Sequence, residues 1–154
     1  DRLRRLSVGV STQPGFIYVN GDRYMRHNTN DKSASLYRLR SMIDAGVLVG
    51  VSSDAPVIKP DPFIALHSAC NRETLSGAYL NPGESISPSD FLRSITSSNA
   101  ELIGLNETKG RIKEGYQADL VLLDANPTCT PRNELKAISV MMTVIRGDIV
   151  YRSG

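Results

Sequence analysis

The sequence has little cysteine, no tryptophan and no excess of charge of either sign. Its two cysteines, Cys70 and Cys129, lie far apart and outside any CxxC pattern, which excludes a disulfide scaffold and a cysteine-based zinc site. The 18 lysine and arginine residues, against 16 aspartate and glutamate residues, give no basic surface for nucleic acid or an anionic membrane. Neither a signal peptide nor an apolar run of about 20 residues, the length that crosses a bilayer, is found. We therefore expect a cytoplasmic protein that binds neither nucleic acid nor membranes.

The sequence also lacks the short motifs that mark most self-contained active sites. It has no HxH, HExxH, GxSxG or P-loop pattern, and its only histidines are His27 and His67. His67 and Cys70 stand three residues apart on a predicted helix and could touch one metal ion. Two protein ligands hold a metal weakly, however, so ordinary packing on the helix surface is the favoured interpretation. His27, in a predicted loop, faces either a site or solvent, and solvent is favoured.

The first two-thirds of the chain show the alternation of a parallel α/β fold. Val47–Val51 is a continuous apolar run, which is typical of a strand buried on both faces. Pro88 at the first helical position, after Ser87 as N-cap, marks the start of a later helix. Strand, helix and strand in this order indicate two neighbouring parallel strands. The predicted elements are a strand over 7–13, a loop over 16–32, a helix from Ser33 to Gly46, a strand over 47–52, and helices over 62–71 and 87–100.

Near Asn106 the pattern of alternating helices and strands gives way to short β-rich runs. Short β-rich runs occupy 119–124 and 139–145, and Arg146-Gly147-Asp148 predicts a hairpin turn that leads into 149–151. The turn explains these three residues better than an adhesion motif does. We therefore predict two domains, an α/β part over 1–105 and a small all-β part over 106–154.

The first residues of the chain have the pattern of a helix end. Leu3 and Leu6 are three residues apart, with no helix N-cap before them. This favours a fragment of a longer protein, and the alternative is an ordinary mature N-terminus with one helical turn.

Asp54 is the strongest candidate for a chemical role. It comes directly after the buried strand, in Ser52-Ser53-Asp54-Ala55-Pro56, and the carboxyl edge of such a strand is where catalytic groups collect in α/β barrels and sheets. An aspartate in this position could equally cap the following turn. The residues alone leave both alternatives open.

Several motifs, taken in order, resemble the C-terminal part of the amidohydrolase superfamily, in the branch typified by N-substituted formamide deformylases. The family's penultimate barrel strand is similar to 8–14, and its last strand with the following loop is similar to 44–57 and 61–62. Arg72 and the predicted helix over 87–100 follow the same pattern. The Gly-x-Ile-x-x-Gly-x-x-Ala-Asp-Leu stretch over 110–120 and the ending over 143–151 resemble the family's β-sandwich, where Asp119 has a structural role.

The resemblance implies the last strands and helices of a (β/α)8 TIM barrel, followed by the C-terminal part of a small β-sandwich. It implies a divalent metal, zinc by preference, held by histidines of earlier strands and by Asp54, which would be both a metal ligand and the general base. Those histidines have no counterpart in this chain. Gln13 and Arg72 match the family pattern and are predicted to face the substrate.

Two functions are compatible with these motifs. The first is a fragment of a hydrolase that acts on carbon–nitrogen bonds other than peptide bonds, in a small amide-like substrate, by metal-activated water with Asp54 as the base; the fragment alone is expected to be inactive. The alternative is a non-catalytic α/β binding module derived from such an enzyme. Because a piece of a barrel has open strand edges, we also expect self-association.

Overall fold

The structure is a computed structural model that describes residues 2–27 and 35–154. It contains two separate sheets, one parallel and one antiparallel, with helices concentrated around the parallel one. In chain order the helices are α1 (Arg2–Arg5), α2 (Gly15–His27), α3 (Leu39–Asp44), α4 (Pro62–Asn71), α5 (Pro88–Ile95) and α6 (Ser97–Leu102), and the strands are β1 (Val10–Thr12), β2 (Val49–Val51), β3 (Leu120–Leu123), β4 (Val140–Ile145) and β5 (Asp148–Arg152).

Strands β1 and β2 are parallel neighbours, as predicted. Val10 pairs with Val49 and Thr12 pairs with Val51, so the carboxyl ends of both strands reach the same edge. All three residues of β2 are buried, which agrees with its continuous apolar sequence. Helix α6 packs closely on β2, since a Cβ added to Gly50 would lie 2.1 Å from Asn99 Oδ1. Glycine leaves room for this approach, whereas a larger residue would force the Asn99 side chain to move.

The loop predicted over 16–32 is wrong for its described part, because residues 15–27 form helix α2. Phe16 and Ile17 are buried on one side of this helix. The asparagine, glycine and aspartate residues in the segment obscure its periodicity, and Pro14-Gly15, interpreted as the end of a strand, also stands at the start of a helix. The remaining part of that predicted loop lies outside the described residues.

Helix α3 is shorter than the predicted helix. It begins at Leu39, whereas Ser33 lies outside the described residues and Tyr37 adopts a left-handed turn with φ of 51°. The buried Glu84, from the short 3-10 helix Pro82–Glu84, accepts a hydrogen bond from Ser41 N at 2.9 Å. A carboxylate from another segment thus satisfies a free N–H of the first turn, where the helix dipole favours negative charge. Gly46 follows with φ of +70°, the left-handed backbone that often ends a helix.

The helix predicted to start after Ser87 does so, and the Ser87 hydroxyl accepts from Asp90 N at 3.0 Å. It does not run unbroken to residue 100. Thr96, with φ of −116° and ψ of −90°, separates α5 from α6. The predicted helix over 62–71 matches α4, which Asp61 caps by accepting hydrogen bonds from Phe63 N and Ile64 N.

The second sheet is antiparallel, in the order β3-β4-β5. Arg146 and Gly147 connect β4 to β5 with positive φ values of 55° and 90°, the backbone that a two-residue hairpin turn requires. All five residues of β5 are exposed.

A segment between the β-runs packs back onto the helices, which the sequence pattern did not predict. The 3-10 helix Arg132–Ala137 buries Leu135 in the same apolar cluster as Leu66 and Phe91. The Arg132 guanidinium donates to the Cys70 carbonyl at 2.7 Å. Both parts of the chain therefore contribute to one core, and a domain boundary near residue 105 stays a prediction.

Within residues 2–27 and 35–154, none of the helices has the length and apolar character needed to cross a membrane.

Candidate active site at the carboxyl edge of the parallel strands

Polar side chains connect the ends of β1 and β2 at their shared carboxyl edge. Gln13, directly after β1, donates from Nε2 to Ser52 Oγ at 3.0 Å. The hydroxyl of Ser11 donates to the same Ser52 oxygen at 3.1 Å. Gln13, predicted to face the substrate, is thus held at this edge, half-buried, by the residue that follows β2.

Asp54 lies three residues beyond the end of β2, at the same edge, and is exposed. Its backbone is left-handed, with φ of 58°, a conformation that aspartate tolerates better than most residues. Among the described residues, no hydrogen bond or ion pair engages its carboxylate.

The turn after β2 does not use the Asp54 side chain. Val57 N donates to the main-chain carbonyl of Asp54 at 2.9 Å, and Ala55 N donates to the Ser53 hydroxyl at 3.3 Å. The turn-capping role, which the sequence left open for Asp54, thus falls to Ser53. Asp61 provides a contrast, because its carboxylate caps α4.

A cavity of about 340 Å³ lies beside this edge. Ser52 and Ser53 give it polar groups, and Val57, Ile58 and Ile64 give it apolar walls. This volume and lining suit a small organic molecule. A larger cavity of about 690 Å³ opens at the other end of β2, around Gly46 and Val47. The smaller cavity lies at the carboxyl ends of the strands, where ligands of parallel α/β folds bind, and Asp54 and Gln13 lie at the same edge but outside its lining.

The structure does not support the predicted substrate contact of Arg72. This side chain is fully buried, and its guanidinium donates to the carbonyls of Leu80, Tyr37 and Leu36 at 3.0, 2.8 and 2.9 Å. Burial lowers the pKa of Arg72 to about 10, and the negative charge of Glu84 opposes this shift. Arg72 is thus a buried cation that holds main-chain carbonyls in place.

His67 and Cys70 are fully buried, so the predicted position on the helix surface is wrong. Asn71 Nδ2 lies 3.0 Å from His67 Nδ1, and Glu73 Oε2 lies 2.8 Å from His67 Nε2. With the asparagine amide as donor, Nδ1 accepts and Nε2 donates to the carboxylate, so both ring nitrogens are used. Burial raises the pKa of the Cys70 thiol to about 12, which keeps it protonated and a poor metal ligand. His27, at the end of α2, is exposed.

The described residues do not by themselves form a metal site. No three or more histidine, cysteine, aspartate or glutamate side chains converge within the part of the chain that the structure describes. Asp54 offers one oxygen donor of the kind that divalent metals accept, exposed and unengaged by the other described residues. A metal at this edge would need further ligands from other residues.

Two tyrosines that the sequence motifs did not indicate form a hydrogen-bonded pair. The hydroxyls of Tyr24 and Tyr37 are 3.1 Å apart. Burial raises the pKa of Tyr37 above its ordinary value, and the hydrogen bond with Tyr24 and the negative charge of Asp54 raise it further. Tyr24 falls in the segment interpreted as a loop; helical numbering from Gly15 would have placed it on the same side of α2 as Ile17.

Comparison with known proteins identifies relatives over nearly the whole chain. The amidohydrolase family matches residues 1–151. The chain is 32% identical to N-substituted formamide deformylase of Arthrobacter pascens over 152 residues. This aligned region covers 98% of this chain and 28% of the deformylase. It is 27% identical over 154 residues to the putative amidohydrolase YtcJ of Bacillus subtilis, covering 98% of this chain and 29% of the relative.

Solved structures show the same relationship. An uncharacterized metal-dependent hydrolase from Pyrococcus horikoshii superposes with a TM-score of 0.72 at 25% identity, over 86% of this chain and 27% of that chain. The chain therefore spans between a quarter and a third of the length of these proteins.

Proposed function

The chain belongs to the amidohydrolase family, and we propose that it supplies the C-terminal part of a metal-dependent hydrolase that cleaves carbon–nitrogen bonds other than peptide bonds. The observation that carries this proposal is Asp54, an exposed carboxylate that no other described residue engages, at the carboxyl edge of two parallel strands. The substrate would be a small amide, and the relative named N-substituted formamide deformylase supports this class.

We assign Asp54 two tasks. Its carboxylate would be one ligand of a divalent metal, zinc by preference, and would accept a proton from the attacking water and pass it to the leaving nitrogen. When bound, the metal supplies Lewis-acid activation of that water. The turn held by Ser53 and Val57 would fix the Asp54 backbone, so the carboxylate need not reorganise during proton transfer. Gln13 would orient the substrate from the end of β1.

The architecture proposed with this function has two parts. Residues 1–105 would form the last strands and helices of a TIM barrel, supported by the parallel pairing of β1 with β2 around a crossover that contains helices. Residues 106–154 would form the C-terminal segment of a β-sandwich, supported by the antiparallel sheet β3-β4-β5. We further propose that the 154-residue chain alone self-associates through its open strand edges. Sedimentation as a compact monomer without binding of the dye ANS would contradict self-association.

The test of the function uses the protein expressed from the complete reading frame that contains this chain. The rate of release of aniline and formate from N-phenylformamide is measured for the wild type and for Asp54→Asn, with metal content determined for both. Asparagine keeps the shape of the side chain but not the proton acceptor, so we expect kcat to fall by about 10²–10⁴-fold.

The matched control is Asp44→Asn at the end of α3. Among the described residues, this exposed carboxylate forms an ion pair with Arg40 alone, at 3.0 Å, and its removal should leave kcat unchanged. Equal kcat and equal metal content in Asp54→Asn and wild type would remove Asp54 from the mechanism. A complete reading frame without further histidines upstream would instead favour a non-catalytic binding module.

A further inference from the structure

A cavity of about 690 Å³ lies at the amino end of β2, away from the edge that carries Asp54. Its volume falls in the range of small-molecule sites. Ile43, Val47 and Val49 give it apolar groups, and the rest of its lining is mostly polar. The proposed function uses none of the residues that line this cavity.

One face of helices α5 and α6 provides most of the polar lining. Each of its members lies three or four residues from another, a spacing that puts side chains on the same side of a helix. The members are Asp90, Arg93, Ser94, Ser97, Ser98 and Glu101. The bend at Thr96 does not interrupt the face, because Thr96 N donates to the Leu92 carbonyl at 3.1 Å and Ala100 N donates to the Thr96 carbonyl at 3.0 Å. The six side chains therefore face one cavity.

Arg111 reaches the same cavity from the segment that follows the helices. The residue before it, Gly110, packs so closely on α6 that an added Cβ would lie 2.8 Å from Ala100 Cβ and 2.9 Å from Ser97 Cα. Its φ of +83° is also a conformation that favours glycine. Because glycine permits this close approach, the main chain of Arg111 lies beside the helix face that carries Arg93.

Positive charge predominates among the ionised side chains of the lining that have no ionic partner. Within the described part of the chain, neither the guanidinium of Arg93 nor that of Arg111 forms an ion pair or a hydrogen bond. Asp90, in contrast, is paired with Arg40 at 3.3 Å. Glu101 has no ion pair among the described residues, and it lies eight residues beyond Arg93, about 12 Å along a helix. The end of the cavity near Arg93 therefore attracts an anion.

Ser94 adds a buried hydroxyl to this end of the cavity. The residue is 3% exposed and belongs to the lining. Among the residues that the structure describes, none forms a hydrogen bond with this hydroxyl. Buried polar groups in proteins nearly always have a partner, either another protein group or a bound molecule such as water. Hydroxyl and guanidinium groups both donate hydrogen bonds, so Ser94 and the two arginines suit an oxyanion.

We propose that this cavity binds the phosphate monoester group of a small organic molecule. Arg93 and Arg111 bind phosphate oxygens through their forked guanidinium donors, and the Ser94 hydroxyl donates to a further oxygen. A phosphate monoester has enough oxygens for all three side chains, whereas a carboxylate has only two. Ile43 and Val47 contact the organic part, for which the cavity has room. This inference does not depend on the proposed function, which concerns the opposite end of β2.

The test measures the Kd of phenyl phosphate by calorimetry, with the protein expressed from the complete reading frame. Arg93→Gln and Arg111→Gln remove one guanidinium each and should each weaken binding by about tenfold or more, the effect of a lost hydrogen bond between charged groups. Ser94→Ala should weaken it by about 2- to 10-fold, because a neutral donor contributes less. Arg93 and Arg111 are exposed, so these variants should keep the wild-type Tm, which is measured alongside.

Two control variants locate the binding. Arg146→Gln removes the same charge from the exposed turn between β4 and β5, and Asp54→Asn alters the opposite edge of the parallel strands. Both should keep the wild-type Kd. A similar loss in Arg146→Gln would show attraction by net charge alone, and a change of Kd confined to Asp54→Asn would show binding at the carboxyl edge; either result would overturn the proposal. So would an unchanged Kd in Arg93→Gln and Arg111→Gln.

Two further ligands of the wild type test the chemical class. Inorganic phosphate lacks the ring and benzoate lacks the third oxygen, so both should bind more weakly than phenyl phosphate. Equal affinity for inorganic phosphate would contradict a site for an organic ester, and equal affinity for benzoate would contradict a phosphate site. Absence of phenyl phosphate binding by the wild type overturns this inference alone, whereas absence of formamide cleavage bears only on the proposed function.

Discussion

Strands β2 and β5 are both rich in apolar residues, yet one is buried and the other is exposed. Val49 and Val51 of β2 are 3% and 2% exposed, whereas Ile149 and Val150 of β5 are each 56% exposed. The difference lies in what covers the strands. Helices α5 and α6 pack on β2, and Asn99 even donates to the Val51 carbonyl at 2.8 Å. Apolar sequence therefore marks a strand that can be buried, and only packing shows whether it is.

Charged residues also differ between the α/β region, which contains β2, and the antiparallel region, which contains β5. In the α/β region, Arg72 and Glu84 are buried and bind main-chain groups. In the antiparallel region, Asp119 is exposed and binds Lys109 and the Arg146 N–H at 2.6 and 2.9 Å. We expect substitutions in the first region to cost far more stability than those in the second, and the predictions below test this difference.

The largest effect is expected for Arg72→Met. Methionine fills much of the space but cannot donate to the three carbonyls, and it leaves the buried Glu84 with Arg38, 3.9 Å away, as its remaining cationic partner. We expect the free energy of unfolding to fall by about 3–5 kcal/mol, measured by urea titration. The control is Arg152→Met on the exposed β5, with an expected change within about 0.5 kcal/mol. Similar losses for the two variants would contradict the contrast between the regions.

The next effect concerns the segment that joins the two regions. Leu135 is fully buried in the shared core, so Leu135→Ala should lower the free energy of unfolding by about 3 kcal/mol through lost apolar contacts and the cavity left behind. The measurement is the same urea titration. A loss below about 1 kcal/mol would show that the segment does not join a common core.

A smaller change in the free energy of unfolding is expected for Val150→Ala, measured by the same urea titration. In the 154-residue chain Val150 is exposed, and its truncation should change stability by less than about 0.5 kcal/mol. If other parts of the complete protein cover β5, as the proposed β-sandwich requires, the same substitution should cost about 1 kcal/mol or more there. An equal, negligible effect in both forms would contradict a covered sheet.

The smallest effect is the pH dependence of Asp119. The hydrogen bond from Lys109, followed by those from Arg146 N and Gln117, lowers the pKa of Asp119 to about 2. In the unfolded chain an aspartate has a pKa of about 3.9, so the contribution of Asp119 to stability is present above pH of about 4 and is lost as the pH falls towards 2. The difference in urea midpoint between wild type and Asp119→Asn should shrink over this range. A difference independent of pH would contradict the assignment.

Local signals determined much of the fold in advance. The helix predicted from Pro62 is α4, whose cap, Asp61, the structure revealed, and Ser87 with Pro88 predicted the start of α5. Both depend on groups within one helical turn, which explains why short-range sequence was enough. The parallel pairing of β1 with β2 followed from the order of elements. The segment of α2 was misjudged, because its polar residues conceal a buried side that packs against α4 and other distant parts of the chain.

The candidate site, like the fold, was predicted from the sequence only in part. The sequence placed Asp54 after a buried strand, because a strand and the residue that follows it are adjacent by covalent connection. It could not show whether Asp54 or Ser53 holds the turn, since both side chains can. Nor could it show that Arg72 is buried against Tyr37, because the two residues lie 35 positions apart and meet only when the chain folds. The position of Asp54 along the chain follows from covalent connection to the strand before it. Tertiary packing determines which polar groups are buried and which are paired, because each buried donor needs an acceptor, often from a distant part of the chain.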